Sequence, residues 1–120
     1  MKLNHLNLAV SDVIQTQQFL QTYFGFQPLT KGSPVLTVLR DENGLVLTLS
    51  NFNKVTEVNY PPEFHIGFIQ GSPEEVNGIN QRLRDDGFEV ESPHSSHNSW
   101  TFYFQAPGGL LIEVLCLSQM

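Results

Sequence analysis

The sequence predicts an α+β fold in which two βαβββ modules follow one another along a single chain. Each half carries a strand pattern, an amphipathic helix pattern that ends at a glycine, and then further strand patterns. Landmark residues recur in the same order in both halves, at a spacing that grows slowly along the chain: His5 and His65, Gly25-Phe26 and Gly87-Phe88, and Gly44 and Gly109. Loop insertions after an internal duplication produce such a drift.

Length and composition agree with this organisation. The chain has 120 residues, of which 40% are hydrophobic, and this is enough to bury a core as one domain. We expect the first module at about residues 1–52, a linker at about 53–62 and the second module at about 63–117.

The first module begins with a strand pattern over residues 3–10. Ser11-Asp12 is an N-cap pair, and apolar side chains at helical spacing predict an amphipathic helix over residues 13–24. Gly25 is expected to end this helix, because a glycine adopts the left-handed backbone of a helix C-terminus without steric cost.

Further strands complete the first module. An extended segment begins at Phe26, and two apolar β patterns follow at residues 35–40 and 45–49. The dipeptide Asn43-Gly44 lies between these two patterns and is typical of a tight hairpin. The first half therefore reads βαβββ.

The second module repeats this order after a linker that contains Tyr60-Pro61-Pro62. Residues 64–69 form a strand pattern, and Ser72-Pro73 followed by two glutamates opens a helix. Apolar patterns at residues 100–105 and 110–117 predict the last strands.

Charge and cysteine content exclude several classes of function. Twelve acidic and six basic side chains give a net charge of −6, so nucleic acid and anionic membranes, which need a basic patch, are not expected partners. The single Cys116 excludes an internal disulfide and a cysteine-based zinc site, and it is expected to lie in the core. Without an apolar membrane-spanning run or a signal peptide, we expect a cytoplasmic protein.

Strand periodicity identifies residues that could carry chemistry. His5 and Asn7 share the face of the first strand that is opposite its apolar, helix-covered face, and His65 has the same position on the matching strand. Glu113 is the single carboxylate in the apolar run at residues 110–117. Because burying an unpaired carboxylate is costly, Glu113 needs a partner.

Two interpretations of these residues remain open. Two histidines and one carboxylate with open coordination positions suit a non-haem Fe(II) site, and they also accept Mn, Ni, Co or Zn. Alternatively, His5 and His65 are hydrogen-bonded polar residues without a metal, and Glu113 accepts a hydrogen bond.

Four groups of motifs occur in order along essentially the whole chain: Asn4-His5-Leu6-Asn7-Leu8-Ala9-Val10-Ser11-Asp12, then Tyr23-Phe24-Gly25-Phe26, then Phe64-His65-Ile66-Gly67-Phe68, and finally Phe102-Tyr103-Phe104 with Ile112-Glu113-Val114. Together they resemble the vicinal oxygen chelate superfamily, which includes glyoxalase I, fosfomycin-resistance transferases, extradiol dioxygenases and bleomycin-binding proteins. The resemblance implies that the two modules form a curled, cup-shaped mixed sheet around a metal, with the helices on its convex face.

The resemblance also implies an activity. His5, His65 and Glu113 match three ligand positions of the superfamily, so the expected cofactor is a divalent metal that chelates paired oxygens of a small-molecule substrate. Many members pair two chains, which implies a homodimer. Isomerisation, thiol addition and oxygen insertion are all compatible with such a site. A metal-free protein that sequesters a drug or metabolite, as bleomycin-resistance relatives do, is the main alternative, and a metal-binding protein without turnover is a third.

At two places the sequence departs from members of this superfamily, and each departure disfavours one of the possible activities. Thr48 stands where four-ligand glyoxalase I enzymes carry a glutamate, which disfavours lactoylglutathione lyase. The basic residues of fosfomycin transferases have no counterparts between Ser92 and Trp100, and the chain ends before their C-terminal arginine, so fosfomycin itself is not the expected substrate.

Substrate contacts are expected beside the ligand positions. Asn7 and Thr48 are the candidates in the first module, and Tyr103 is the candidate in the second, because strand parity places it on the same face as Glu113. His94 and His97 lie in a polar segment, residues 93–99, that is expected to be a loop. They either close over a ligand or are solvated loop histidines.

Overall fold

The first of two compact units holds one four-stranded mixed sheet and one helix. The computed structural model describes residues 1–118, and this unit comprises Met1–Pro61 together with Ala106–Gly109. Along the chain it consists of β1 (His5–Ala9), α1 (Val13–Phe24), β2 (Gln27–Pro28), β3 (Leu36–Arg40) and β4 (Val46–Ser50). The strand order is β1-β4-β3-β2, with β1 parallel to β4 and the other pairs antiparallel.

Helix α1 begins and ends where the sequence predicts. The Asp12 side chain accepts a hydrogen bond from the backbone N–H of Gln15, which satisfies one of the unpaired donors of the first turn. Gly25 ends the helix with a left-handed backbone. The helix buries Phe19 and Leu20, and Leu49 is among the buried side chains of the sheet.

A 3-10 turn at Pro107–Gly109 packs with the first unit although it lies far along the chain. The backbone N–H of Ser11 donates to the carbonyl of Gly108, and the Thr16 hydroxyl lies 3.3 Å from the carbonyl of Pro107. A Cβ on Gly108 would lie only 2.1 Å from the Thr16 hydroxyl oxygen, so this close approach requires glycine.

The second unit repeats the same arrangement with Pro62–Gln105 and the described residues from Leu110 to 118. Along the chain it consists of β5 (Ile66–Ile69), α2 (Pro73–Asp85), β6 (His94–Ser96), β7 (Ser99–Gln105) and β8 (Leu111–Leu117). The strand order is β5-β8-β7-β6, with β5 parallel to β8 and the other pairs antiparallel. The two βαβββ modules are therefore confirmed, and each forms its own mixed sheet.

Helix α2 covers one face of the second sheet. Ser72 caps its N-terminus by accepting from the N–H of Glu75, and Pro73 occupies the first turn. Val76 and Leu83 on the helix are fully buried, and so are Ile112 and Val114 on β8. Among residues 1–118, neither helix is long and apolar enough to cross a membrane.

The expected loop at residues 93–99 is a hairpin, so that prediction was wrong. His94–Ser96 forms the edge strand β6, and His97 and Asn98 make the turn with φ angles of 49° and 60°. A polar edge strand is held by backbone hydrogen bonds and lacks the apolar alternation that predicts a strand. Asn98 tolerates a positive φ better than most residues, which suits a tight turn.

Candidate functional site

The main cluster of predicted site residues lies on the helix-free face of the second sheet, the face opposite α2. Strand pairing places Glu113 of β8 directly between Gly67 of β5 and Tyr103 of β7. Ile112 and Val114 point the other way, into the core under α2. His65 is the residue immediately before β5, and its ring reaches Glu113.

The contact between His65 and Glu113 has the chemistry of a metal-binding pair. Nε2 of His65 lies 3.3 Å from Oε1 of Glu113, and Nδ1 of His65 lies 2.9 Å from the carbonyl oxygen of Glu63. Because that carbonyl only accepts, Nδ1 carries a proton, and when Nε2 carries none, its lone pair faces the carboxylate. Two facing lone pairs need a cation between them: a proton, which gives a salt bridge, or a metal ion.

The separation of these two atoms fits a metal. Metal–nitrogen and metal–oxygen bonds of about 2.1 Å with angles between octahedral and tetrahedral place two adjacent ligand atoms about 3.0–3.4 Å apart. The observed 3.3 Å lies within that range. A second oxygen acceptor on Nδ1 is also what metal-ligating histidines ordinarily have, since it fixes the tautomer and the ring.

Glu113 is largely buried, with 13% of its side chain exposed, and both of its oxygens have partners. Oε1 faces His65, and Oε2 accepts a hydrogen bond of 2.7 Å from the hydroxyl of Thr101. The sequence-based requirement that this carboxylate has a partner is met by two side chains, those of His65 and Thr101. Tyr103 is paired with Glu113 on the neighbouring strand.

Tyr103 completes the cluster as a neutral donor. Its ring meets the ring of His65 edge-on, with 5.2 Å between the ring centroids. Desolvation by burial raises the pKa of Tyr103 above that of an ordinary tyrosine, and the negative charges of Glu113 and Glu91 raise it further. The hydroxyl therefore keeps its proton at neutral pH.

A second His–Glu pair supports the edge of the same sheet. Oε2 of Glu91 accepts a hydrogen bond of 2.8 Å from the backbone N–H of Tyr103 and lies 3.1 Å from Nε2 of His94. Both side chains are nearly half exposed. Arg84 donates to the Val90 carbonyl and so helps to hold this segment. His97 lies in the hairpin turn that follows.

The first unit carries a related but uncharged set of residues on its helix-free face. Strand pairing places Thr48 of β4 between Asn7 of β1 and Val38 of β3. The Ser50 hydroxyl donates to Oδ1 of Asn7 at 2.8 Å, which leaves the amide nitrogen of Asn7 as a donor toward a ligand. Nδ1 of His5 lies 3.1 Å from the side-chain oxygen of Asn4, which leaves Nε2 as the ring nitrogen available to a ligand.

The predicted ligands divide between the two units. His5 belongs to the first unit, and His65 and Glu113 belong to the second. Over residues 1–118, no three His, Cys, Asp or Glu side chains lie close enough together to hold a metal ion. Cys116 is buried.

Several residues of the cluster were not predicted from the sequence. Thr101 looks like an ordinary β-branched strand residue, and Glu63 contributes through its backbone carbonyl, which no side-chain pattern reports. Glu91 lies in a polar segment without periodicity. Only the unpaired charge of Glu113 signalled that such partners exist.

Comparison with protein-family models matches residues 2–114 to the family described as Glyoxalase/Bleomycin resistance protein/Dioxygenase superfamily. Among curated proteins, no significant match is found. The matched residues include both units and every predicted metal-ligand and substrate-contact position.

Solved structures give the same result. A possible glyoxalase from Bacillus cereus is 48% identical, with a TM-score of 0.87, over 97% of this chain and 99% of that one. A genomically encoded fosfomycin resistance protein from Listeria monocytogenes is 24% identical, with a TM-score of 0.76, over 97% and 93% of the two chains. A lactoylglutathione lyase from Agrobacterium tumefaciens is 18% identical, with a TM-score of 0.75, over 96% and 92%. The last two similarities, below 25% identity, concern the fold alone.

Proposed function

The chain belongs to the glyoxalase/bleomycin resistance protein/dioxygenase superfamily, and on this basis we propose that it is a small metal-dependent enzyme acting on a small molecule. The observation that supports the proposal is the pair formed by Nε2 of His65 and Oε1 of Glu113, which lie 3.3 Å apart, a separation that two ligands of one metal ion also have. A divalent ion satisfies both atoms at once.

His5 is proposed as the third ligand. It occupies in the first unit the position that His65 occupies in the second, two residues before the residue paired with Thr48 or Glu113. Like His65, it has an Nδ1 that faces an oxygen acceptor, so Nε2 is the ring nitrogen that can bind a metal. Two histidines and a carboxylate accept Fe, Mn, Ni, Co or Zn.

The bound metal would supply Lewis-acid stabilisation of negative charge on paired substrate oxygens. The chain's own residues would orient the substrate. Tyr103 offers a hydroxyl that stays protonated because its pKa is raised. Asn7 offers amide donors because its oxygen is already occupied by Ser50, and Thr48 offers the hydroxyl next to it on the adjacent strand.

Thr48 also bears on the class of reaction. A hydroxyl at this position supplies neither a carboxylate ligand nor a general base at neutral pH. We therefore propose a reaction that does not need a carboxylate from the first unit, which separates this protein from four-ligand glyoxalases.

Metal analysis of the protein purified without chelators tests the proposal. Wild type is expected to retain divalent metal in stoichiometric amount after incubation with Fe(II), Mn(II), Ni(II), Co(II) or Zn(II), and His65→Ala, Glu113→Gln and His5→Ala are expected to lose it. His94→Ala is the matched control, because His94 also faces a glutamate but lies outside the proposed ligand set. It should bind metal like wild type.

The other outcomes are equally informative. Wild type that binds none of these ions contradicts the proposal and favours the metal-free ligand-binding alternative. Metal that survives in the His5→Ala variant removes His5 from the ligand set. A homodimer in the cytoplasm is also proposed, from the resemblance and the sequence, and a strictly monomeric mass in light scattering at micromolar concentration would contradict the dimer.

A further inference from the structure

Thr101 lies within the second unit at a position that can determine how Glu113 binds a cation. It is on β7, two residues before Tyr103 and on the same sheet face, so it is the diagonal neighbour of Glu113. Thr101 is only 1% exposed, so bulk water does not compete for hydrogen bonds with its hydroxyl.

The hydroxyl of Thr101 donates its hydrogen bond to the carboxylate of Glu113. Oγ1 lies 2.7 Å from Oε2 of Glu113 and 3.2 Å from the carbonyl oxygen of Val114. One hydroxyl donates one proton, and the shorter contact is to the charged acceptor, which forms the stronger hydrogen bond. Donation to Val114 instead would leave a lone pair of Oγ1 facing a lone pair of Oε2.

The two carboxylate oxygens of Glu113 therefore have different partners. Oε2 is held by Thr101, and Oε1 faces Nε2 of His65. We infer that Thr101 is a positioning residue of the proposed metal site, one that occupies Oε2 so that Glu113 offers Oε1 as a single ligand atom. This inference rests on the proposed function, because it assigns Thr101 a role only toward a metal at His65 and Glu113.

The first unit supports the assignment independently. Strand pairing makes Leu36 the counterpart of Thr101 and Thr48 the counterpart of Glu113. The unit without the carboxylate has a leucine where the unit with the carboxylate has the buried hydroxyl. A hydroxyl that served only the strand would have no reason to follow the carboxylate in this way.

The test compares Thr101→Val, which keeps the shape of the side chain and removes the hydroxyl, with Thr101→Ser, which keeps the hydroxyl. Binding of Co(II) and Zn(II) to the purified full-length chain is measured by calorimetry, together with the absorption spectrum of the Co(II) form. Loss of a group that orients a metal ligand typically weakens metal binding about 10–100-fold, which is the loss expected for Thr101→Val. Thr101→Ser should bind like wild type, and only Thr101→Val should change the Co(II) spectrum.

The outcomes separate this inference from the proposed function. If wild type binds no metal, the proposed function fails and the role of Thr101 fails with it. If wild type binds metal and Thr101→Val binds it with the same affinity and spectrum, the inference alone is wrong. If Thr101→Ser loses as much affinity as Thr101→Val, packing rather than the hydroxyl is responsible, which also overturns the inference. Circular dichroism of both variants confirms that the binding is measured on folded protein.

Discussion

The helix-free faces of the two units carry different residues at the positions that strand pairing makes equivalent. In the second unit the paired residues are Gly67, Glu113 and Tyr103, and in the first unit they are Asn7, Thr48 and Val38. The strand order and pairing pattern are the same in both units, but within residues 1–118 only the second unit has a largely buried carboxylate with a histidine, a hydroxyl and a phenol beside it. A duplicated fold therefore does not by itself produce two equivalent sites. Each site also needs a carboxylate together with the side chains that contact it.

Glycine has a specific role in this difference. A Cβ on Gly67 would lie 3.8 Å from Oε1 of Glu113, so a longer side chain there would reach the carboxylate. In the first unit, Asn7 occupies the equivalent position beside Thr48. The second unit leaves room for a carboxylate and a ligand, whereas the first fills that room with an amide.

The glycines of the two strand connections β3–β4 and β7–β8, both of which lie in the first unit, also differ, and here the largest effect on stability is expected. Gly108→Ala should lower the free energy of unfolding by about 3–5 kcal/mol, because it adds left-handed strain at a φ of 87° and forces a Cβ against the buried Thr16. Gly44→Ala is the matched control: it has a similar φ of 90°, but its Cβ would meet only the end of Lys2 at 3.7 Å. Its expected cost is about 1–2 kcal/mol.

Urea unfolding of the two glycine variants measures this difference. Equal losses would mean that the approach of the Pro107–Gly109 turn to α1 is not tight in solution. A loss for Gly44→Ala larger than for Gly108→Ala would reverse the comparison.

Exchanging the central residue of the second unit for that of the first tests the site itself. Glu113→Thr is expected to weaken metal binding by at least about 100-fold, because it removes a ligand, whereas changes to groups around a ligand already cost about 10–100-fold. Thr48→Val, the control in the first unit, should leave metal binding close to wild type. Calorimetric titration with Zn(II) gives both values, and retained binding by Glu113→Thr would exclude this residue as a ligand.

The reverse exchange asks whether the first unit can be converted. In a Glu113→Thr background, Asn7→Gly with Thr48→Glu places a carboxylate beside an emptied position, at the register that Glu113 has relative to His65. We expect about tenfold tighter Zn(II) binding than the Glu113→Thr parent, a partial recovery because Leu36 provides no hydroxyl. Adding Leu36→Thr should increase the recovery. No gain in either variant would show that the two units are not interchangeable.

The sequence predicts most of this fold because its signals are local. The N-caps, the glycines after the helices and Asn43-Gly44 each specify a backbone geometry within a few residues, and the structure follows them. Strand parity likewise placed Tyr103 next to Glu113, and the repeat placed Thr48 at the position equivalent to Glu113.

What the sequence could not predict depends on contacts between distant segments. The pairing of β6 at His94–Ser96 rests on backbone hydrogen bonds along a polar edge, and the packing of Pro107–Gly109 with α1 joins residues far apart in the chain. The hydrogen bond from Thr101 to Glu113 and the carbonyl of Glu63 behind His65 have no residue pattern of their own. The proposed ligands carry a recognisable chemistry, whereas the groups that would orient them are known only once the strands are paired.

The smallest expected effect is on the titration of tyrosine in the metal-free protein. Glu113→Gln should lower the pKa of Tyr103 part of the way to its ordinary value, because it removes the negative charge next to the hydroxyl while burial, the larger cause, remains. Tyr60 of the first unit is the internal control: burial raises its pKa as well, and it should not respond to this change. Ultraviolet absorbance of tyrosinate, with Tyr103→Phe to identify the component, measures both.

The same change has a consequence for stability at alkaline pH. A raised pKa favours the neutral hydroxyl in the folded state, so the stability it contributes is complete below the ordinary tyrosine pKa of about 10 and is lost as pH rises through the raised value. Glu113→Gln should make the loss of stability with rising pH shallower, and an identical alkaline profile in wild type and variant would show that Glu113 does not act on Tyr103. The charge that the second unit carries would then be coupled to His65 and Thr101 alone.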